Sequence, residues 1–135
     1  MYLYGASGHG KVIAEILEDL QWPITAFVDD NCLLESLLDY TILPSSDLRL
    51  GADMVISIGN NEVRKRIVEK QSAFNFLTVI SPKANISRRS SIGRGTVVMM
   101  GATVISEVAI GEHCIINTNA SIDHDCRIAD YVHLS

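Results

Sequence analysis

The chain has 135 residues, 47% of them hydrophobic, and a formal net charge of −5. That length holds one ordinary domain or two small ones, and the acidic balance argues against a general nucleic-acid or anionic-membrane surface. No apolar run approaches a membrane span, and Met1 leads into a strand-like YLYG with no basic leader, so the expected compartment is the cytoplasm.

Residues 2–20, YLYGASGHGKVIAEILEDL, read as a strand, a glycine-rich turn and a helix whose Val12, Ile13, Ile16, Leu17 and Leu20 share one face. Ile24 to Val28 predict a second strand that ends in Asp29 and Asp30. Glycines at 5, 8 and 10 are spaced GxxGxG, whereas the dinucleotide fingerprint is GxGxxG. Two uses fit such a turn. It can bring backbone N–H groups and a helix N-terminus up to a phosphate, or it can serve tight packing alone. Asp29 lies about twenty residues past the turn, where such folds place a carboxylate on a ribose hydroxyl; the alternative for Asp29 and Asp30 is a solvated strand end.

Residues 31–52 carry no assignable chemistry. Asp53 to Ile58 predict a buried third strand, and Gly59-Asn60-Asn61 a turn capping a helix from Glu62 to about Gln71. Gly59 and Asn60 can line the same crevice as the first glycine turn, because open α/β sheets bind ligands beyond their strand C-termini. Phe76 to Ile80 read as a last strand before Ser81-Pro82. The expectation is a small α/β unit over residues 1–82 with a reduced parallel sheet of about four strands.

From Ala84 an aliphatic residue returns every six positions, at Ile86, Ile92, Val98, Val104, Ile110, Ile116, Ile122, Ile128 and Leu134, with a compact residue two places before each. A period of six fits neither helix nor long strand; it predicts a solenoid of short strands, a triangular prism of about three coils over residues 83–135. Cys114 and Cys126 fall in the small inward register, and with Cys32 they form no CxxC pair, which fits core packing in a reducing compartment. Val97, Met99, Ile105 and Ile115 point outward yet are apolar, and they predict an exposed association surface around a threefold axis.

The register puts His124 and Asp125 at a corner between flat faces, where an imidazole can take a proton from an incoming nucleophile. Asp123 and Asp125 flank it, and either could orient it; a plain surface turn remains the alternative. His113 sits at another corner and is read as a turn residue. His133 points out from a flat face, within reach of a ligand along the prism. A metal cluster of His124, Cys126 and His133 fails on register, since the cysteine faces inward.

GASGHGKV at 5–12, FVDD at 27–30, IGNNEVRKRI at 58–67 and NTNASIDHDCRIADYVHLS at 117–135 together resemble the sialic acid O-acetyltransferase family, which includes the UDP-4-amino-sugar N-acetyltransferases. The resemblance implies a Rossmann-like nucleotide-sugar domain followed by a left-handed parallel β-helix, in a homotrimer that uses acetyl-CoA and no metal. It implies direct acetyl transfer to the amino group of a UDP-linked amino sugar in cell-surface glycan synthesis, with His124 as general base and Asp125 beside it. Ser7, Gly8, His9, Gly10, Asp29, Asp30, Gly59 and Asn60 match the nucleotide-sugar pocket, and His133 the histidine near the acetyl donor. Family members continue for several coils beyond the equivalent of Ser135, so the expectation is a chain shortened at its C-terminus. The alternatives are a sugar O-acetyltransferase and a catalytically incomplete sugar-nucleotide binding or oligomerisation module.

Overall fold

The computed structural model describes all 135 residues, Met1–Ser135. Short β-rich segments, the central ones buried on both faces, build the first sheet. Strand β1 (Tyr2–Tyr4) lies at its centre, paired in parallel with β2 (Ala26–Val28) on one side and β5 (Asp53–Ile56) on the other. The pleat sends alternate residues to opposite faces. Leu3, Phe27 and Val55 therefore meet helix α1 (Gly8–Asp19), through Ile13, Ile16 and Leu17. Tyr2, Tyr4, Met54 and Ile56 meet the other side, where helix α2 (Asn61–Lys70) contributes Val68. Asn60 caps α2 as expected, its side-chain oxygen accepting the Val63 N–H at 3.0 Å.

The sheet is larger than the sequence predicts. A two-stranded hairpin, β3 (Ser36–Leu37) and β4 (Tyr40–Leu43), extends it, with β4 parallel to β2. At the opposite edge β6 (Asn75–Phe76) pairs with β5, and the six strands run β3-β4-β2-β1-β5-β6.

The single strand expected over Phe76 to Ile80 is two strands in two different sheets. Phe76 closes the first sheet, whereas β7 (Val79–Ile80) pairs with a strand of the prism, so Ile80 is a rung one hexad before Ile86. The following rungs are β8 (Asn85–Ile86), β9 (Ser91–Ile92), β10 (Val97–Val98), β11 (Thr103–Val104), β12 (Ala109–Ile110), β13 (Ile115–Ile116), β14 (Ser121–Ile122), β15 (Arg127–Ile128) and β16 (His133–Leu134). They stack in parallel on three faces: β7-β10-β13-β16, then β8-β11-β14, then β9-β12-β15. Val98, Val104, Ile110, Ile116 and Ile122 fill the interior with Ala102, Val108, Cys114 and Ala120, as the two registers require.

The outward apolar band is not an exposed association surface. Val97, Met99 and Ile115 are each 1% exposed. They belong with Val79 to the first-face cluster that packs on α1, so the chain's own helix lies between its sheet and its prism. Only Ile105 is left open, at 38%.

Candidate functional site

The glycine turn divides its glycines between packing and access. Gly5 adopts φ 123°, and a Cβ there would lie 2.7 Å from the Ser57 carbonyl oxygen. A Cβ at Gly10 would come within 2.5 Å of the Gly5 carbonyl, the same oxygen that accepts the Ser57 hydroxyl at 2.7 Å. Gly8, in contrast, faces open space. Ser7 is the N-cap of α1 but makes no side-chain capping bond, and the first turn carries no acidic residue. The hydroxyl and the first N–H groups are therefore free to receive an anion.

Asp29 and Asp30 are anchored, not merely solvated. Asp29 accepts the Ala6 N–H at 3.1 Å and the Asn31 N–H at 2.9 Å, which ties the end of β2 to the glycine turn. Asp30 accepts the backbone N–H and hydroxyl of Ser45 at 2.7 and 2.8 Å, and the Tyr4 hydroxyl at 3.1 Å. The Ser45 N–H, foremost, holds the Asp30 carboxyl below the usual carboxylate range. Both aspartates border a cavity of about 370 Å³ whose opposite wall is α2, with Val63, Arg66, Ile67 and Lys70. Arg66 and Lys70 lie one helical turn apart and give that wall a positive charge. They escaped the sequence reading, because two cations on a short helix read equally well as a solvated face.

Ser7, His9, Gly59 and Asn60 do not border this cavity. His9 and Gly59 instead meet the prism along a seam. His133 Nδ1 lies 3.2 Å from the Gly59 carbonyl, and its ring centroid is 6.3 Å from that of His9. Nε2 of each histidine is buried without a partner. Burial foremost, then the charges of His133 and Arg64, hold His9 neutral, with its pKa lowered to about 4. So the structure brings together His9, Gly59 and His133, from three distant segments.

His124 is elsewhere. It occupies the exposed corner between β14 and β15, with 67% of its side chain open to solvent. The question of which carboxylate orients it has an answer: Nδ1 is 2.6 Å from Asp125, while Asp123 accepts the backbone N–H of His124 at 2.8 Å and stays 3.9 Å from Nε2. The Asp125 bond first, with the charges of both aspartates, raises the His124 pKa above its ordinary value. Nε2 remains open. This corner joins the second and third faces, so it is the prism edge opposite the first face, on which His133 and α1 lie.

His113 is not a surface turn residue. It is 1% exposed, stacked on Tyr131 at 5.4 Å and edge-on to Phe76 at 5.0 Å. Next to it is Arg64, also 1% exposed, which the sequence reading passed over. The available signal was its helical phase: four residues before the buried Val68, it lies on the inward face of α2.

With this geometry, the sequence profile of the PglD N-terminal domain matches residues 1–71, which span the glycine turn, β5 and α2. The chain belongs to that family. Among relatives, this PglD-type chain is 39% identical over 107 residues to a UDP-N-acetylbacillosamine N-acetyltransferase from Bacillus subtilis (strain 168), covering 72% of itself and 50% of that protein. It thus spans about half the length of the Bacillus relative. Its fold superposes on the acetyltransferase domain of PglB from Neisseria gonorrhoeae FA1090 in complex with acetyl coenzyme A, with a TM-score of 0.89 and 33% identity. That match covers 98% of this chain and 68% of the other. PerB from Caulobacter crescentus, in complex with CoA and GDP-perosamine, superposes with a TM-score of 0.88 at 28% identity, over 98% of this chain and 66% of that one.

Proposed function

We propose that this protein takes part in acetyl transfer from acetyl-CoA to the amino group of a nucleotide-linked amino sugar. The observation that carries the reading is the His124–Asp125 pair: Nδ1 is tied down, Nε2 is open, and the pKa is raised. A neutral imidazole so held accepts a proton at Nε2 and no other atom. Acetyl-CoA supplies the activated acyl carbon as a thioester. His124 takes the proton that the sugar amine loses as its nitrogen bonds to that carbon, and returns it to the departing sulfur. Asp125 keeps the ring in position and offsets the charge it gains.

In this reading the cavity between Asp29, Asp30 and α2 receives the nucleoside, Arg66 and Lys70 neutralise phosphate charge, and Ser7 with the free N–H groups of Gly8, His9 and Gly10 completes the anion site. His9, Gly59 and His133 line the sugar and acyl end, next to Asn60 at the start of α2. The α/β part binds the nucleotide sugar and the prism, about three coils by its hexads and left-handed by its resemblance to the family, carries the acyl donor. Because His124 lies on the edge opposite its own α/β unit, the base meets a pocket only on another copy, which supports a homotrimer with sites between subunits. Three free cysteines fit a cytoplasmic location.

The test is release of free thiol from acetyl-CoA in the presence of a UDP-4-amino-sugar, with the acetylated sugar confirmed by mass spectrometry. Thiol release that is the same without the sugar would sink the reading.

A further inference from the structure

We infer that Arg64 is a positioning residue that fixes the tautomer and placement of His133. Its guanidinium is buried with no carboxylate against it, and each of its five N–H bonds has an acceptor. Nε donates to the His113 carbonyl at 2.8 Å; one terminal nitrogen donates to the carbonyls of Ile58 and Gly59 at 3.0 and 3.1 Å; the other donates to the Asn61 side-chain oxygen and the Tyr131 carbonyl at 2.8 and 2.9 Å. A buried guanidinium with only neutral acceptors has no opposite charge to offset its desolvation, although removing it would leave those acceptors unpaired. What this one delivers is geometry. It draws three segments to one point: the turn before α2 and the two prism corners at His113 and Tyr131.

His133 is held from both sides by these bonds. Tyr131, two residues before it, is fixed through its carbonyl, and Gly59, which contacts its Nδ1, is fixed through the oxygen that His133 also uses. A carbonyl oxygen has two lone pairs and can only accept. Arg64 takes one and His133 the other, so neutral His133 carries its proton on Nδ1. Nε2, buried and without a partner, is then a bare acceptor in the seam shared with His9, suited to a ligand N–H or O–H donor. A Lys at position 64 keeps the charge, but its point-like ammonium cannot span the carbonyls that the planar fork spans.

The primary test is the tautomer, read by long-range 1H–15N correlation on the protein without ligand. The expected result is Nδ1–H His133 in the parent chain and a shift toward Nε2–H in Arg64→Lys, with Asn61→Ala as a milder variant should Arg64→Lys fail to fold. The kinetic arm rests on the proposed function. Arg64→Lys is expected to lower kcat about tenfold, and less than about twofold when His133 is already Ala, because residues acting through one another are non-additive. Nε2–H His133 in the parent chain overturns the inference. So does a lower melting temperature in Arg64→Lys with an unchanged tautomer, or an equal loss in both His133 backgrounds. Absence of acetyl transfer in the parent chain would count against the proposed function, and the tautomer would still decide this one.

Discussion

His124 and Asp125 are adjacent residues whose chemistry depends on one turn. Asp125 adopts φ 60°, and this left-handed corner brings its carboxylate back to Nδ1. Replacing His124 by Ala is expected to lower turnover by about 100- to 10,000-fold, the range for loss of a general base, with nucleotide-sugar binding measured by calorimetry unchanged. The pH dependence follows from the neighbour. In its proposed role His124 works as a base only when neutral, so kcat/KM is expected to rise with pH through its pKa, which Asp125 raises. Asp125→Asn lowers that pKa and shifts the acidic limb to lower pH, with a reduced plateau; Asn tolerates the left-handed backbone, so the corner survives. A limb that stays in place would show that another group controls the profile. The His124 corner was legible from the sequence, because six-residue counting fixes which side chains point out. The orienting carboxylate was not, because Asp123 and Asp125 flank the imidazole symmetrically in the string and only the corner's dihedral angles separate them.

At the scale of elements, the glycine turn gives a paired prediction. Gly10→Ala places a methyl group 2.5 Å from the Gly5 carbonyl, which the Ser57 hydroxyl already holds. The overpacking penalty of about 1–3 kcal/mol outweighs the helix-propensity gain of up to about 1 kcal/mol, so the thermal midpoint falls. Gly8→Ala meets nothing within 4 Å, so its midpoint is expected to hold or rise, while under the proposed function affinity for the nucleotide sugar drops. The prism was legible for the same reason as its corners, yet Ile80 escaped because its strand β7 follows β6 of the other sheet with only Leu77 and Thr78 between. The β3–β4 hairpin escaped because its two-residue turn is Leu38-Asp39, both at positive φ, without the Asn-Gly or Asp-Gly that announces such a turn. The band of Val97, Met99 and Ile115 was read correctly as outward and apolar; periodicity along the chain says nothing about what covers it. The seam itself is expected to be acid-sensitive. Burial foremost, with Arg94 next, lowers the His113 pKa to about 4, against 6.5 in the open chain. A depressed folded pKa means the unfolded chain binds the proton more readily, so stability is complete above about pH 6.5 and declines as pH falls toward 4. The loss is up to about 3 kcal/mol. His113→Asn suits the residue's φ of 53° and removes the titration. Urea unfolding at pH 7 and pH 4.5 should then show a smaller difference than in the parent chain; an equal difference would assign the acid sensitivity to other groups, such as His9.

Under the proposed function the whole molecule poses a geometric problem that a second copy would solve. Helix α1 and His133 occupy the first face of the prism, while His124 stands on the edge between the other two. On that reading the proposed base on one side and the proposed nucleotide-sugar pocket on the other cannot act together within one copy, but neighbours around a threefold axis can present one to the other. The arrangement can be tested by mixing. His124→Ala retains the pocket and lacks the base; His9→Ala with Gly8→Ala retains the base and impairs the pocket. Each alone should be nearly inactive. Unfolded together in equal amounts and refolded into mixed trimers, they pair an intact base with an intact pocket at about a quarter of the sites. Activity should therefore return to about a quarter of that of the parent chain treated in the same way. A site assembled within one copy predicts no recovery, because every copy would still carry one of the two lesions.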